Sequence, residues 1–524
     1  MKSIHVFFSI LALATSLHGE VKLSKVFTPH MVLQRGMDVP IWGTAAPGEE
    51  VTVKFAGQSK STKADDKGAW RVKLNSLTAN TTPQVLTIGD KQIDDVLVGD
   101  VWIGSGQSNM DMVVSSYVAG DPVLAAAAQQ SYPLIRLMRK DAGAVWEQAN
   151  PQTIAKMSAL LFSFGFPLQK EIGVPLGIMV GAVGGTPSGF WLSEEMYRSD
   201  AACAAAVTKF APTYKYDELV AAYQVAKAKH DEAMVAWKVQ ADAAKKEGKE
   251  APRPPRGPQP VGKAGETNTG KVGQLFEAYI RPYVGYAIKG VLWDQGESRT
   301  NIVGVDQVTL MGALIGGWRK AWGQGDFPFL YVQKPSGGGC AWDYTLPIHR
   351  LAEKFVPLPA TVPAGGQDAE YSHEVFGRIM KYPNTHMVTA SDLGNGIHPA
   401  NKSAYGARAV QVAMAVAYGQ TNEYLGPRYA SHTISGDKIT LKFTHAGKGL
   451  AFKHGDKLQG FMIAGEDKKF VWADAVIEGD SVIVSSKSVT SPAAARYAWS
   501  PTFPWANLFN QDGLPAQPFR TDAW

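Results

Sequence analysis

Residues 96–110 read Val-Leu-Val-Gly-Asp-Val-Trp-Ile-Gly-Ser-Gly-Gln-Ser-Asn-Met. An almost unbroken apolar run over 96–103, stopped by Gly104 and Gly106, is the pattern of a strand buried on both faces that ends in a tight turn. The turn delivers Ser108 to the carboxyl end of that strand and to the start of the next helix. Backbone N–H groups there favour developing negative charge. Gly-x-Ser alone reads equally well as a turn or a helix cap, so the rest of the chain has to supply a reactive partner.

Working outward, apolar runs of the same kind recur over 177–183, 288–293, 327–333 and 386–391, each followed by a glycine-rich turn and a helical stretch. Such alternation predicts an α/β fold with a parallel sheet covered on both faces, spanning 96–420. On either side the period changes to two. Val51-Thr-Val-Lys-Phe55 and Trp70-Arg-Val-Lys-Leu74 predict an N-terminal β-sandwich-type module over 20–95. Ile439-Thr-Leu-Lys-Phe443 and the runs after it predict a second over 421–524. An insertion at about 214–265 interrupts the α/β part. It combines a helix over 217–246, with Leu219, Tyr223, Ala226, Ala233 and Trp237 as a packed stripe, and a proline-rich connector over 251–260.

The 524 residues are 45% hydrophobic and 19% charged with a net charge of +5, ordinary globular usage that excludes a disordered or fibrous chain. Lys and Arg are scattered, which argues against nucleic acid as a partner. Lys2 and His5 precede an apolar run over 6–14 and the small residues before Gly19. That is the layout of a signal peptide over 1–19, so the mature protein is expected to be secreted or periplasmic. The run is short of the about 20 residues of a spanning helix, and no later segment supplies one. Two cysteines, Cys203 and Cys340, allow one disulfide and no disulfide framework.

A serine nucleophile needs a base. Among eleven histidines, His398 alone lies on a glycine-rich strand-end loop, Asp392-Leu-Gly-Asn-Gly-Ile-His398-Pro399. His386 sits inside an apolar strand and reads as core, while His349 and His373 stay open. Two further strand-end loops, Gly184-Gly185-Thr186 and Gln295-Gly296-Glu297, offer Gly185 and Gln295 as donors for a tetrahedral oxyanion, together with the Ser108 N–H. Gln107, Asn109, Glu297 and Arg299 border these groups and are taken as substrate-binding. Trp191, Trp293 and Trp342 are candidates for stacking on sugar rings.

Several motifs together resemble the sialate O-acetylesterase group of SGNH hydrolases. They are Met31-Val-Leu-Gln-Arg35, Val39-Pro-Ile-Trp-Gly43, Gly106-Gln-Ser-Asn-Met110, Gly184-Gly-Thr186, Gln295-Gly-Glu-Ser298, Trp318-Arg319, Ile397-His-Pro399 and the stretch from Asn507 to Arg520. The resemblance spans nearly the whole mature chain outside the insertion. It implies an SGNH-type core between β modules and hydrolysis of O-acetyl esters on a carbohydrate, without metal or organic cofactor. It makes Ser108 the nucleophile and His398 the base. Many SGNH enzymes carry Asp three residues before the histidine, where this chain has Asn395. The orienting role then falls to Asp392, to a backbone carbonyl, or to nothing, which would leave a serine–histidine dyad. Arg299 replaces an Asn frequent in relatives and either binds an acidic sugar or shapes the pocket edge. Acetylated plant or algal polysaccharide is the alternative substrate, and a non-catalytic sugar-binding protein is the alternative outside enzymes.

Overall fold

Strand β1 (Lys91–Gly106) runs through two modules without a break. The computed structural model describes residues 20–524 except 141, 142, 144, 335 and 366–368; the expected export signal over 1–19 lies outside the described residues. The first half of β1 pairs with strands Asn80–Ile88 and Val32–Gln34 of the N-terminal module, and its second half joins the central sheet. A module boundary between 95 and 96 therefore falls inside one strand. Asp95 at that point has φ +53°, and its carboxylate is held by Arg136 at 3.0 Å. The Met31–Arg35 motif fastens the same junction. The Gln34 side chain accepts the Val101 N–H and donates to Asp100, while Arg35 pairs with Asp100 at 2.9 Å.

The central sheet comprises β1, β2 (Tyr132–Met138), β3 (Trp146–Ala149), β4 (Leu176–Ala182), β5 (Gly290–Asp294), β6 (Phe329–Val332) and β7 (Thr385–Val388). Its order is β3-β2-β4-β1-β5-β6-β7, parallel throughout except for the edge strand β3. Side chains alternate between faces along a strand. Val101 and Ile103 accordingly join one core with Trp318 and Trp322 of α4 (Gln307–Trp322). Trp102 joins the other, between α2 (Ala159–Ile172) and α5 (Lys402–Val416). These two helices touch at Gly406, where an added Cβ would lie 2.2 Å from the Ser163 carbonyl carbon.

Chain order reverses direction at β1, which has β4 on one side and β5 on the other. In open α/β sheets the crevice at such a switch point, outside the strands' carboxyl ends, is where ligands bind. Gly106 stands in register with both Ala182 and Asp294, so the loops leaving β1, β4 and β5 emerge at one level.

The C-terminal part contains two four-stranded antiparallel sheets over a core that includes Phe461, Tyr497 and Trp499. Leu358, Val362 and Ala369 pack into that core, so chain from before residue 421 belongs to it. The insertion is a 31-residue helix, α3 (Tyr216–Lys246), with no buried residue; the expected packed stripe is not buried. Trp237 and His230 donate to the carbonyls of Pro252 and Pro255 in the proline-rich segment at 2.7 and 3.2 Å. Cys203 and Cys340 are both buried and free. Trp191 and Trp293 are packed edge to face within the core, so neither can stack on a sugar; Trp342 packs against Phe509 and is half-buried.

Candidate active site

Ser108 is the first residue of helix α1 (Ser108–Asp111), reached through a turn that only glycine can make. Gly106 has φ +130°, and a Cβ there would lie 2.1 Å from the Asp294 carbonyl oxygen. The Gln107 N–H donates to that same carbonyl at 2.8 Å, which ties the turn to the end of β5. From the loop after β7, His398 brings Nε2 to 2.9 Å from Ser108 Oγ across 290 residues of sequence. Ser108 is half-buried and His398 exposed, so a substrate can reach both. The arrangement meets the geometric condition for a histidine to remove the serine proton as the oxygen attacks an electrophile.

Beside Ser108 lies the loop leaving β4. A Cβ added at Gly184 would be 3.5 Å from Ser108 Cβ, and the Gly184 N–H donates to Asp111 Oδ2 at 2.9 Å. The N–H groups of Ser108 and Gly185 have no acceptor among the described residues, and Gly185 adopts φ +70°. Gln295 does not share this freedom. Its amide nitrogen donates to the Thr186 and Arg299 carbonyls at 3.4 and 3.0 Å, and its oxygen accepts from Gln307 at 3.1 Å. The expected third oxyanion donor thus holds the loops after β4 and β5 together.

Asp392 also departs from expectation. Fully buried, it forms a bidentate pair with Arg408 at 3.1 and 2.8 Å and meets His349 Nε2 at 3.1 Å. Burial would raise its pKa, but Arg408 and His349 outweigh this and hold it at about 2. It has no hydrogen bond to His398. Asn395 donates to Glu353, and among the described residues no carboxylate meets the His398 ring. Burial pushes the imidazoles of His373 and His386 down to about 4, and His373 bonds to Ser500 and His386 to Tyr424, remote from the serine in the hydrogen-bond network.

Of the four residues taken as substrate-binding, two, Gln107 and Asn109, are buried beside Ser108. Gln107 accepts from the N–H groups of Gly296 and Ser298 at 3.5 and 3.3 Å. Asn109 donates to the carbonyl of Ile397, the residue before His398, at 3.0 Å and to Glu297 at 3.3 Å. Its own oxygen accepts from Lys402 Nζ at 2.6 Å. Glu297 pairs with Lys334 at 3.0 Å, and Lys334 with Asp294 at 2.7 Å. Burial works against the charge of Lys334, but its two carboxylates carry its pKa above the ordinary lysine value. Lys402 is buried without a carboxylate within bonding distance among the described residues, and desolvation, aided by nearby Lys334, brings it down to about 7 although Asp294 and Glu297 oppose the fall. Only Arg299 is exposed. It has φ +52°, and its guanidinium lies 4.5 Å over the Tyr371 ring. Asp111, Lys334 and Lys402 carry no sequence signal beyond standing in or near motifs, because their partners come from distant loops.

No protein-family model matches the chain. The sialate O-acetylesterase of Rattus norvegicus is 27% identical over 548 residues, covering 94% of this chain and 92% of its own length. The sialate O-acetylesterase of Homo sapiens is 26% identical over 557 residues, with 93% and 90% covered. The crystal structure of a carbohydrate acetylesterase from Xanthomonas citri is similar with a TM-score of 0.71 at 28% identity, covering 96% of this chain and 100% of that one. Similarity to the sialate O-acetylesterases and to this carbohydrate acetylesterase runs along almost the entire chain, in both sequence and fold.

Proposed function

We propose that this protein is an exported carbohydrate O-acetylesterase of the SGNH type, with Ser108 as nucleophile and His398 as base. The observation that carries the reading is the 2.9 Å contact between His398 Nε2 and Ser108 Oγ at the switch point of the sheet. His398 takes the serine proton as Oγ attacks the acetyl carbonyl. The resulting oxyanion lies against the N–H groups of Ser108 and Gly185. His398 then returns the proton to the departing sugar oxygen, leaving an acetyl ester on Ser108. Water, deprotonated by the same imidazole, releases acetate. With no carboxylate bonded to the His398 ring among the described residues, the pair works as a dyad.

The sialate O-acetylesterase relatives and the carbohydrate acetylesterase fold support an acetylated sugar as substrate. Arg299, exposed and stacked on Tyr371, favours an acidic one, since a guanidinium offers a carboxylate two parallel hydrogen bonds. The test is acetate release from O-acetylated sialic acid, acetylated xylan, acetylated mannan and an aryl acetate, by wild type, Ser108→Ala and Arg299→Ala. Ser108→Ala should release none from any substrate, and Arg299→Ala should lose the acidic sugar selectively. Acetate release by Ser108→Ala at the wild-type rate would defeat the serine mechanism. Equal loss on acidic and neutral substrates would remove the acidic-sugar preference.

A further inference from the structure

Asp111 stands three residues after the nucleophile, and its two carboxylate oxygens are divided between two partners. Oδ2 accepts the Gly184 N–H at 2.9 Å, and Oδ1 is paired with Lys140 Nζ. The same ammonium donates to the carbonyl of Ala182, the last residue of β4. Lys140 also lies 5.7 Å over the Tyr279 ring. The loop that carries Gly185 is therefore gripped at Ala182 and at Gly184. The grip at Gly184 comes from the helix that begins with Ser108, and the grip at Ala182 from Lys140, which follows β2.

The consequence is directional. Successive N–H groups in a turn point different ways, and fixing one fixes its neighbour. With the Gly184 N–H committed to Asp111, the Gly185 N–H is the next donor along and has no acceptor among the described residues. Gly184 is also the point where this loop lies against Ser108, since an added Cβ there would lie 3.5 Å from the Ser108 Cβ. Oxyanion donors act through being aimed beforehand, so a small rotation of this peptide would weaken stabilisation of the transition state while leaving substrate binding alone.

We propose that Asp111, held by Lys140, is a positioning residue that aims the Gly185 N–H at the oxyanion formed on attack by Ser108. The proposal rests on the serine-esterase reading of the site. It requires no contact between Asp111 and substrate, and it explains why a carboxylate and an ammonium are both anchored on the β4 loop.

The experiment compares wild type, Asp111→Ala, Asp111→Asn, Lys140→Met and Ser108→Ala for kcat and KM with an aryl acetate. It also measures inhibition by an arylboronic acid, which mimics the tetrahedral intermediate on a serine, and thermal unfolding. Asp111→Ala should lower kcat about 10–100-fold, somewhat less than the ~10²–10³ of losing an oxyanion donor outright, because the N–H is misaimed and still present. KM should stay within about threefold, and boronate binding should weaken in step with kcat. Asp111→Asn keeps one oxygen for the Gly184 N–H and should recover most of the loss; Lys140→Met should fall between. Should Asp111→Ala not fold, Lys140→Met carries the test by the same kcat and boronate criteria. Wild-type kcat and boronate affinity in Asp111→Ala, or in Lys140→Met where it stands in, would overturn the proposal. So would a fall in kcat with unchanged boronate affinity or without rescue by Asn. If Ser108→Ala kept full activity, the serine reading itself would fail, which is a separate and recognisable result.

Discussion

His398 Nε2 stands 2.9 Å from Ser108 Oγ, while Asp392, the carboxylate nearest to His398 in sequence, is bound by Arg408 and His349. The imidazole that meets Ser108 and the carboxylate beside it in the chain thus belong to different networks.

Asp392→Asn should therefore act on stability more than on chemistry. Removing one charge from a buried pair leaves Arg408 uncompensated and typically costs about 3–5 kcal/mol. A triad acid in that position would instead cost ~10⁴ in turnover. Denaturant unfolding and turnover per active site, measured on the folded variant, separate the two: a large loss of stability with kcat within about tenfold is expected. The pH dependence has a defined sign. The folded value of about 2 lies below the ordinary 3.8, so the contribution of Asp392 is present above that ordinary value and lost as pH falls towards 2.

Lys402 gives the opposite slope. Its folded value of about 7 lies below the ordinary 10.5, so between these the unfolded chain binds more protons and stability rises with pH. Lys402→Met should remove that slope. At ~1.4 kcal/mol per pH unit for one proton, the stability difference between variant and wild type should change by about 2–3 kcal/mol from pH 7.5 to 9.5. Parallel stability curves for the two proteins would show that Lys402 is charged in the fold throughout.

The arm formed by α3 and the proline-rich segment should be dispensable. No residue of the helix is buried, and the Tyr214 hydroxyl donates to the Gly262 carbonyl at 3.0 Å, so the two ends of the arm already lie together. Replacing residues 216–260 with a short Gly-Ser linker should leave the melting temperature within a few degrees and aryl acetate turnover unchanged. A fall in turnover with unchanged melting temperature would assign the arm a part in the reaction.

What could be read from the sequence follows from the range of the forces involved. Buried strands and glycine turns are local patterns, so β1, β4, β5, β6 and β7 and the position of Ser108 were legible, as was the loop carrying His398. Residues whose meaning depends on a distant partner were not. Gln107, Asn109 and Gln295 look like ligand-binding polar groups because nothing nearby in sequence satisfies them; the fold supplies Ser298, Ile397 and Thr186 as partners. The partners of Asp392, Arg408 and His349, are likewise distant in sequence and reach it only in the fold. Two motifs that carried the family resemblance turn out to tie backbone segments together within a module. Arg319 binds the Phe327, Pro383 and Asn384 carbonyls, and Asn510 those of Leu425 and His445. The boundary drawn at 95 lies inside one strand that serves two modules, which no local pattern announces.

The central claim is that Ser108 becomes acetylated during turnover. Rapid acid quench of the enzyme with an aryl acetate, followed by peptide mass spectrometry, tests it directly. The expected result is one acetyl group on the peptide containing Ser108, formed in a burst before steady state and absent in Ser108→Ala and His398→Ala. Steady acetate release with no acetylated Ser108 at any quench time, or an acetyl group on another residue that turns over at the catalytic rate, would contradict the account.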